Sequence, residues 1–225
     1  MHALFAQSEL SDLVEKVEND ERLGFDAGVR MMNSQDLLAL GYMANVVRER
    51  KNGNNTYFMV NNPINHTNVC TDRLNATMIY GHVARPEDRI DHLIQLRALQ
   101  DRKSEFLAFI PLPCDPKNTQ FEGIMGVKNT TGFEDLKMFA LSRILLDNFD
   151  HIKAFWMMLG PKLAQVSQAF GVDDLDGIVV EEAIVSSAEA ETNLGMSKRA
   201  LIHMIKTAGR DAVERDILYR VLRTH

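Results

Sequence analysis

Cysteine is scarce here: the 225 residues hold two, Cys70 and Cys114, 44 positions apart. The two could in principle pair, but without an export signal they are expected to stay reduced in a cytoplasmic protein. The opening Met-His-Ala-Leu-Phe-Ala-Gln-Ser-Glu has no basic region followed by an apolar core, so no secretory signal is read there. The Asn-x-Ser/Thr matches at Asn54, Asn65, Asn75 and Asn129 then carry no meaning as glycosylation sites. No apolar run approaches the ~18 residues that a membrane span needs, which excludes a spanning helix. Basic clusters are absent as well. The 25 Lys and Arg are interspersed among 31 Asp and Glu, with a net charge of −6, so no nucleic-acid partner is expected. There is no internal repeat and no low-complexity tract.

What is present is enough apolar residue, 45% of the chain, for one sizeable core, and single α/β barrels run to roughly 200–250 residues. Residues 1 to about 52 read as helices, with Leu10, Leu13, Val14 and Val17 at helical spacing. Asn33 or Ser34 is the candidate cap of a helix carrying Leu37, Leu38, Leu40, Met43, Ala44 and Val47. Turn residues at 51–55 end it. Apolar, β-branched and aromatic runs then mark five strand candidates: 56–60, 75–80, 106–112, 152–158 and 177–181. Helices open at Pro86, at a Thr131-Gly-Phe-Glu134 capping box, at Pro161 and at Ser197, and a short tail helix is expected over 217–222.

This alternation predicts an α/β fold with parallel strands joined by right-handed crossovers. A closed barrel of this class needs eight strands, and only five are visible. The first two are separated by 14 residues without a helical pattern, too few for an ordinary βαβ crossover. The expected architecture is an incomplete (β/α) TIM-type barrel over residues 56–225, lacking about three strand–helix units, after a helical segment over 1–55. The join falls near 73–75. Sheet edges and apolar surface left open by the missing units predict self-association.

Ile64 to Leu74 delivers Cys70 into a loop that resembles the start of an iron–sulfur cluster loop. Its pattern is Cys-x-x-x-Cys-x-x-Cys, and the second and third positions hold Leu74 and Thr77. His66-Thr-Asn-Val-Cys-Thr-Asp-Arg73, Asn75-Ala-Thr-Met-Ile-Tyr-Gly-His82 and Asp91-His-Leu-Ile-Gln-Leu-Arg-Ala-Leu-Gln-Asp101 resemble parts of the aminofutalosine synthase family. So do Phe109–Leu112, Lys128–Leu136, Leu146–Trp156, Leu159–Gln165 and Asp173–Glu182. The resemblance covers nearly all of the chain in two blocks. It implies a radical S-adenosylmethionine enzyme of the futalosine route to menaquinone, with a [4Fe–4S] cluster and S-adenosylmethionine as cofactors. The substrate it implies is a small enolpyruvyl ether of benzoate. In such a family the adenosyl radical adds to that ether, and rearrangement with loss of carbon dioxide follows. After Arg73, however, this sequence runs straight into a later segment of the family pattern. Three alternatives therefore stand: an active enzyme, an inactive internally deleted remnant, or one part of a split enzyme.

The resemblance assigns roles residue by residue. Cys70 is the metal ligand, or else an inert relic thiol, because a cluster of this type needs three thiolates. Asn68, Glu181 and Glu182 fall to cofactor binding, with the glutamates either holding ribose hydroxyls or solvated at the end of a strand. His82, Thr130 and Thr131 fall to substrate binding, and for Thr131 helix capping competes. His66 is either half of a metal site or a loop histidine. Trp156 is either a core residue or a stacking platform. Asp115 stands where the family tends to carry histidine. No catalytic residue is assigned.

Overall fold

The computed structural model describes residues 3–60, 75–81, 85–114, 130–180 and 195–225. Three helices come first: α1 (Ser11–Glu18), α2 (Phe25–Asn33) and α3 (Leu37–Asn52). The cap of α3 is Asp36, two positions beyond the expected Ser34. Its carboxylate accepts from the Ala39 amide at 2.9 Å. The Ser34 hydroxyl instead donates to Glu9 at 2.5 Å and accepts from the Asp36 amide at 3.0 Å.

The rest of the chain alternates. Strand β1 (Asn55–Phe58) is followed by β2 (Asn75–Tyr80), α4 (Pro86–Lys103), β3 (Ala108–Pro113) and α5 (Gly132–Leu145). Then come β4 (His151–Phe155), α6 (Trp156–Leu159), α7 (Pro161–Ser167), β5 (Asp174–Asp176) and β6 (Val179–Val180). The chain closes with β7 (Met196–Ser197), α8 (Lys198–Thr207), β8 (Asp211–Arg215) and β9 (Val221–Thr224). Pro86 and Pro161 open their helices as expected, and Ser197 caps α8 by accepting from the Ala200 amide at 3.2 Å.

The main sheet has the order β2-β3-β4-β5-β1-β8-β9. All neighbours in it are parallel except the last pair, β8 and β9. The run β2-β3-β4-β5-β1 is the arc of an α/β barrel: each strand pairs with the next in sequence, and the last returns to the first. β6 and β7 form a separate two-stranded parallel sheet.

Three sequence expectations change. The strand expected over 152–158 ends at Phe155, and Trp156–Leu159 is a helical turn. A short apolar run looks the same in either conformation. The strand of the main sheet near 177–181 is instead Asp174–Asp176, whose acids conceal it in the sequence. The tail helix over 217–222 is a β8–β9 hairpin. Its turn is set by the Asp216 carboxylate, which accepts from the Leu218 and Arg220 amides at 2.8 and 2.9 Å, a side-chain turn that competes with helix.

One apolar core joins the first helices to the sheet, from Leu10, Val14 and Met43 through Phe58, Phe139 and Phe149 to Leu201 and Ala212. Fully buried Arg48 of α3 ties these layers together. It donates to the carbonyls of Val172, Gly53 and Asn55 at 2.9, 3.1 and 2.6 Å and to Thr56 Oγ1 at 3.1 Å. Burial pushes its pKa down to about 10. No helix among the described residues is long and apolar enough to cross a membrane.

Candidate functional site

Parallel strands bring alternate side chains to the concave face in layers. The register pairs Lys153 with Asp174, Asp174 with Tyr57, and Phe155 with Asp176. His151 stands one layer nearer the amino ends. At that floor the Tyr219 ring stacks on His151 at 3.7 Å, and the Tyr57 ring meets both edge-on at 5.1 and 6.2 Å. Tyr219 reaches His151 from the β8–β9 turn with φ at +60°, a left-handed conformation that costs a bulky residue roughly 1–2 kcal/mol. Asp174 holds it there, accepting from the Tyr219 hydroxyl at 2.6 Å. The same oxygen, Oδ2, accepts from Arg215 Nε and Nη2 at 2.9 and 2.5 Å. Burial, and then Asp174, push the Tyr219 hydroxyl well above its ordinary pKa.

Below this floor lies a second ionic group. The Arg143 guanidinium and the Asp173 carboxylate form a fully buried pair, and His151 Nδ1 lies 2.5 Å from Asp173 Oδ2. Asp173 also accepts from the Ile152 amide at 2.8 Å. These groups sit at the amino ends of β4 and β5, the stability side of such a sheet, away from the carboxyl ends where ligands meet α/β folds.

At the carboxyl ends, Lys153 reaches up to Asp176, Nζ to Oδ2 3.2 Å. Trp156 packs its indole against Gly177, where an added Cβ would lie 2.3 Å from Nε1. Behind β2, the Tyr80 hydroxyl donates to Asp135 at 2.7 Å. Burial raises the Asp135 pKa, and hydrogen bonds from Tyr80 and Thr130 oppose it. Thr130 closes against Gly81, whose φ is +91° and where a Cβ would stand 2.2 Å from Thr130 Cγ2.

Of the residues that the sequence pointed to, Asn68, Cys70, His66, His82, Asp115, Glu181 and Glu182 lie outside the described residues. Thr130 bonds Asp135. Thr131 caps α5 in the expected box, its Oγ1 accepting from the Glu134 amide at 3.3 Å and its amide donating to Glu134 at 3.2 Å. Replacing Thr131 by alanine is expected to cost about 1 kcal/mol, measurable as a lowered urea midpoint with an unchanged slope. Trp156 is a buried core residue. Sequence reading missed the concave-face set Tyr57, His151, Lys153, Asp174, Asp176, Arg215 and Tyr219. Its one available signal was acid at alternate positions, Asp174 and Asp176, around the buried Leu175.

A cluster bound by three thiolates does not fit this chain. It has two cysteines in all, and Cys114 is buried beyond the end of β3, its amide bonded to Tyr80. Thr77, which stands at the third ligand position, is built into β2 and paired in register with Ile110. Among the described residues, no group of three or more His, Cys, Asp or Glu could hold a metal ion.

Residues 103–224 match the family model for the CofH/MqnC C-terminal region. Aminodeoxyfutalosine synthase of Thermus thermophilus is 49% identical over 150 residues, covering 66% of this chain and 40% of that protein. The synthase of Streptomyces coelicolor is 40% identical over 157 residues, 66% and 41% of the two chains. The 5-amino-6-(D-ribitylamino)uracil–L-tyrosine 4-hydroxyphenyl transferase of Methanococcoides burtonii is 41% identical over 152 residues, 66% and 43% of the two. The chain thus spans about two fifths of the length of these curated relatives. Among solved structures, HydG, a maturase of the [FeFe]-hydrogenase, superposes with a TM-score of 0.64 at 9% identity, over 93% of this chain and 76% of that one. That likeness is one of fold alone.

Proposed function

This chain belongs to the CofH/MqnC C-terminal region family, and on that premise we propose that it is an aminofutalosine synthase-type protein that cannot run the family's radical reaction as a single chain. That reaction adds the adenosyl radical of S-adenosylmethionine to 3-[(1-carboxyvinyl)oxy]benzoate to give aminofutalosine, in the cytoplasm, on the route to menaquinone. The identity to the Thermus synthase, 49% against 38–44% for the tyrosine-using transferases, favours this branch, while the Streptomyces synthase at 40% falls within their range. On this reading residues 1–55 are a helical lead segment and 56–225 a partial barrel with a deletion junction near 73–75. Asn68, Cys70, Glu181 and Glu182 descend from cofactor contacts, and His82, Thr130 and Thr131 from substrate contacts.

The observation that carries the reading is the thiolate count: the chain holds two cysteines, Cys70 and Cys114, where a cluster of this type needs three in one loop. Residue 77 stands in strand β2, in register with Ile110, and as threonine it supplies no thiolate. A split enzyme, with a partner supplying the missing strands, is disfavoured by β8. In a barrel the second strand adds to the free edge of the first. Here β8 already occupies that edge over Asn55–Phe58, and a partner would have to displace it.

Anaerobic reconstitution with iron and sulfide tests the proposal. The expected result is no charge-transfer band near 400 nm, no retained stoichiometric iron after desalting, and no deoxyadenosine on adding dithionite and S-adenosylmethionine. About four irons per chain, with deoxyadenosine release, would overturn it.

A further inference from the structure

A cavity of about 250 Å³ lies among the ends of α1, α3 and α5. Because α5 leads into β4, it stands on the amino-end side of the sheet, away from the face where ligands meet α/β folds. Its wall is apolar at Val17, Val47 and Ile144 and cationic at Arg22, Arg50 and Lys51. Two of these cations are already engaged. Arg22 donates to Asp147 at 2.6 Å and to Asp101 at 2.7 and 3.1 Å. Arg50 donates to the carbonyls of Val17 and Glu18 at 2.6 and 2.5 Å and pairs with Asp20. Lys51 is different. Its side chain is 23% exposed, yet its ammonium makes no hydrogen bond among the described residues. The carboxylate it faces, Asp150, has Oδ1 3.7 Å away, beyond hydrogen-bond reach.

Such a setting suits an amine better than an ammonium. Burial pushes the Lys51 pKa down and Arg143 adds to it, while Asp150, Asp147 and Asp173 oppose it. A lysine desolvated against apolar side chains is one of the ordinary forms of an activated nucleophile. The other described lysines each lack part of this setting. Lys137 is buried on the carbonyls of Met32 and Ser34, and Lys153 is buried on Asp176. Lys198 pairs with Glu214 at 2.9 Å, and Lys16, Lys103, Lys162 and Lys206 are exposed.

We propose that Lys51 is an acylation site, its amine taking a short aliphatic acyl group from an acyl thioester into the cavity between α1, α3 and α5. The neutral Nζ attacks the thioester carbonyl carbon. The N–C bond forms, the C–S bond breaks, and the thiol leaves with the proton that the amine gives up. The product is an uncharged amide whose acyl chain lies over Val17, Val47 and Ile144. No oxidant, reductant or metal takes part. The modification removes a charge from a place where water solvates it poorly. The ion pair it breaks is a weak one, because Asp150 is 72% exposed. The inference goes beyond the family reading given above and does not depend on it.

The test is incubation of the full-length folded chain with the acetyl and butanoyl thioesters of N-acetylcysteamine, with peptide mass spectrometry following each lysine over time. Lys51 is expected to react roughly threefold or more faster than the exposed Lys16, Lys162 and Lys206. That lead should widen from acetyl to butanoyl, because the longer chain gains more from the apolar wall. In denaturing guanidinium chloride it should vanish. Asp150→Asn, which removes the nearest counter-charge, should speed Lys51 further and leave Lys16 unchanged. Lys51→Arg should remove the earliest adduct while the other lysines keep their rates. Thermal melts check that both variants fold, and if Asp150→Asn does not, the folded and denatured wild-type chains decide. The proposal fails if Lys51 reacts no faster than the exposed lysines, or if its lead survives denaturation, since local sequence would then be the cause. It also fails if butanoyl narrows the lead, or if a folded Asp150→Asn chain reacts at Lys51 no faster than wild type.

Discussion

Asp173→Ala is expected to lose about 3–5 kcal/mol of folding stability, because it strands a fully buried Arg143 without its counter-ion. The change also removes the acceptor of the Ile152 amide and the partner of His151. Equilibrium urea unfolding would show it as a large drop in midpoint, and a loss under about 1 kcal/mol would contradict the assignment. The pH dependence has a definite sign. Burial alone would raise the Asp173 pKa, but Arg143 and the hydrogen bonds from His151 and Ile152 outweigh it, and the pKa ends below its ordinary value. A depressed carboxylate contributes stability that is fully present above the unfolded pKa of about 3.9 and is lost as pH falls through the folded value. The wild-type chain should therefore weaken as pH falls below about 4, and Asp173→Asn should flatten that part of the curve while lying lower at neutral pH.

Arg215→Ala should approach the same size, about 3–5 kcal/mol, since it leaves the fully buried Asp174 with the Tyr219 hydroxyl as its one remaining donor among the described residues. Arg215 also stacks on the Tyr219 ring, its guanidinium carbon 4.0 Å from the centroid. The loss should consequently spread to the hairpin turn. Faster amide exchange at Tyr219 and Arg220 is expected, with little change in α4 or β2. Uniform acceleration across the chain would mean that Arg215 acts on global stability alone. A double variant with Tyr219→Phe should fall short of additivity, because both side chains serve one carboxylate oxygen.

Those two expectations rest on residues that sequence reading passed over, and the reason is physical. Pro86, the Thr131–Glu134 box, Pro161 and Ser197 act through neighbours within one helical turn, so each was legible and each opens its helix. β2 was readable to the residue, because Ala76, Met78 and Tyr80 alternate with outward positions. Asp174 and Asp176 lie in a strand where Arg215 and Lys153 neutralise them from afar. No local window contains that information. The hairpin at the end of the chain failed for a similar reason. Ile217, Leu218, Val221 and Leu222 mimic a helical stripe, while Asp216 and the Tyr219 contact to Asp174 impose a turn. The cysteine deficit was plain from the sequence, and the structure places Thr77, at the third ligand position, in a strand.

The location of β1 has a kinetic consequence. It is the first strand among the described residues and lies inside the sheet, yet its partners are β5 and β8, with Tyr57 facing Asp174 on one side and Val213 on the other. Both contacts join residues more than a hundred positions apart, so loop closure must precede any reward from pairing. A ribosome-bound chain would carry β1 with two bare edges until β5, and then β8, had emerged. Such a nascent strand is a natural client for chaperones and a site of early aggregation.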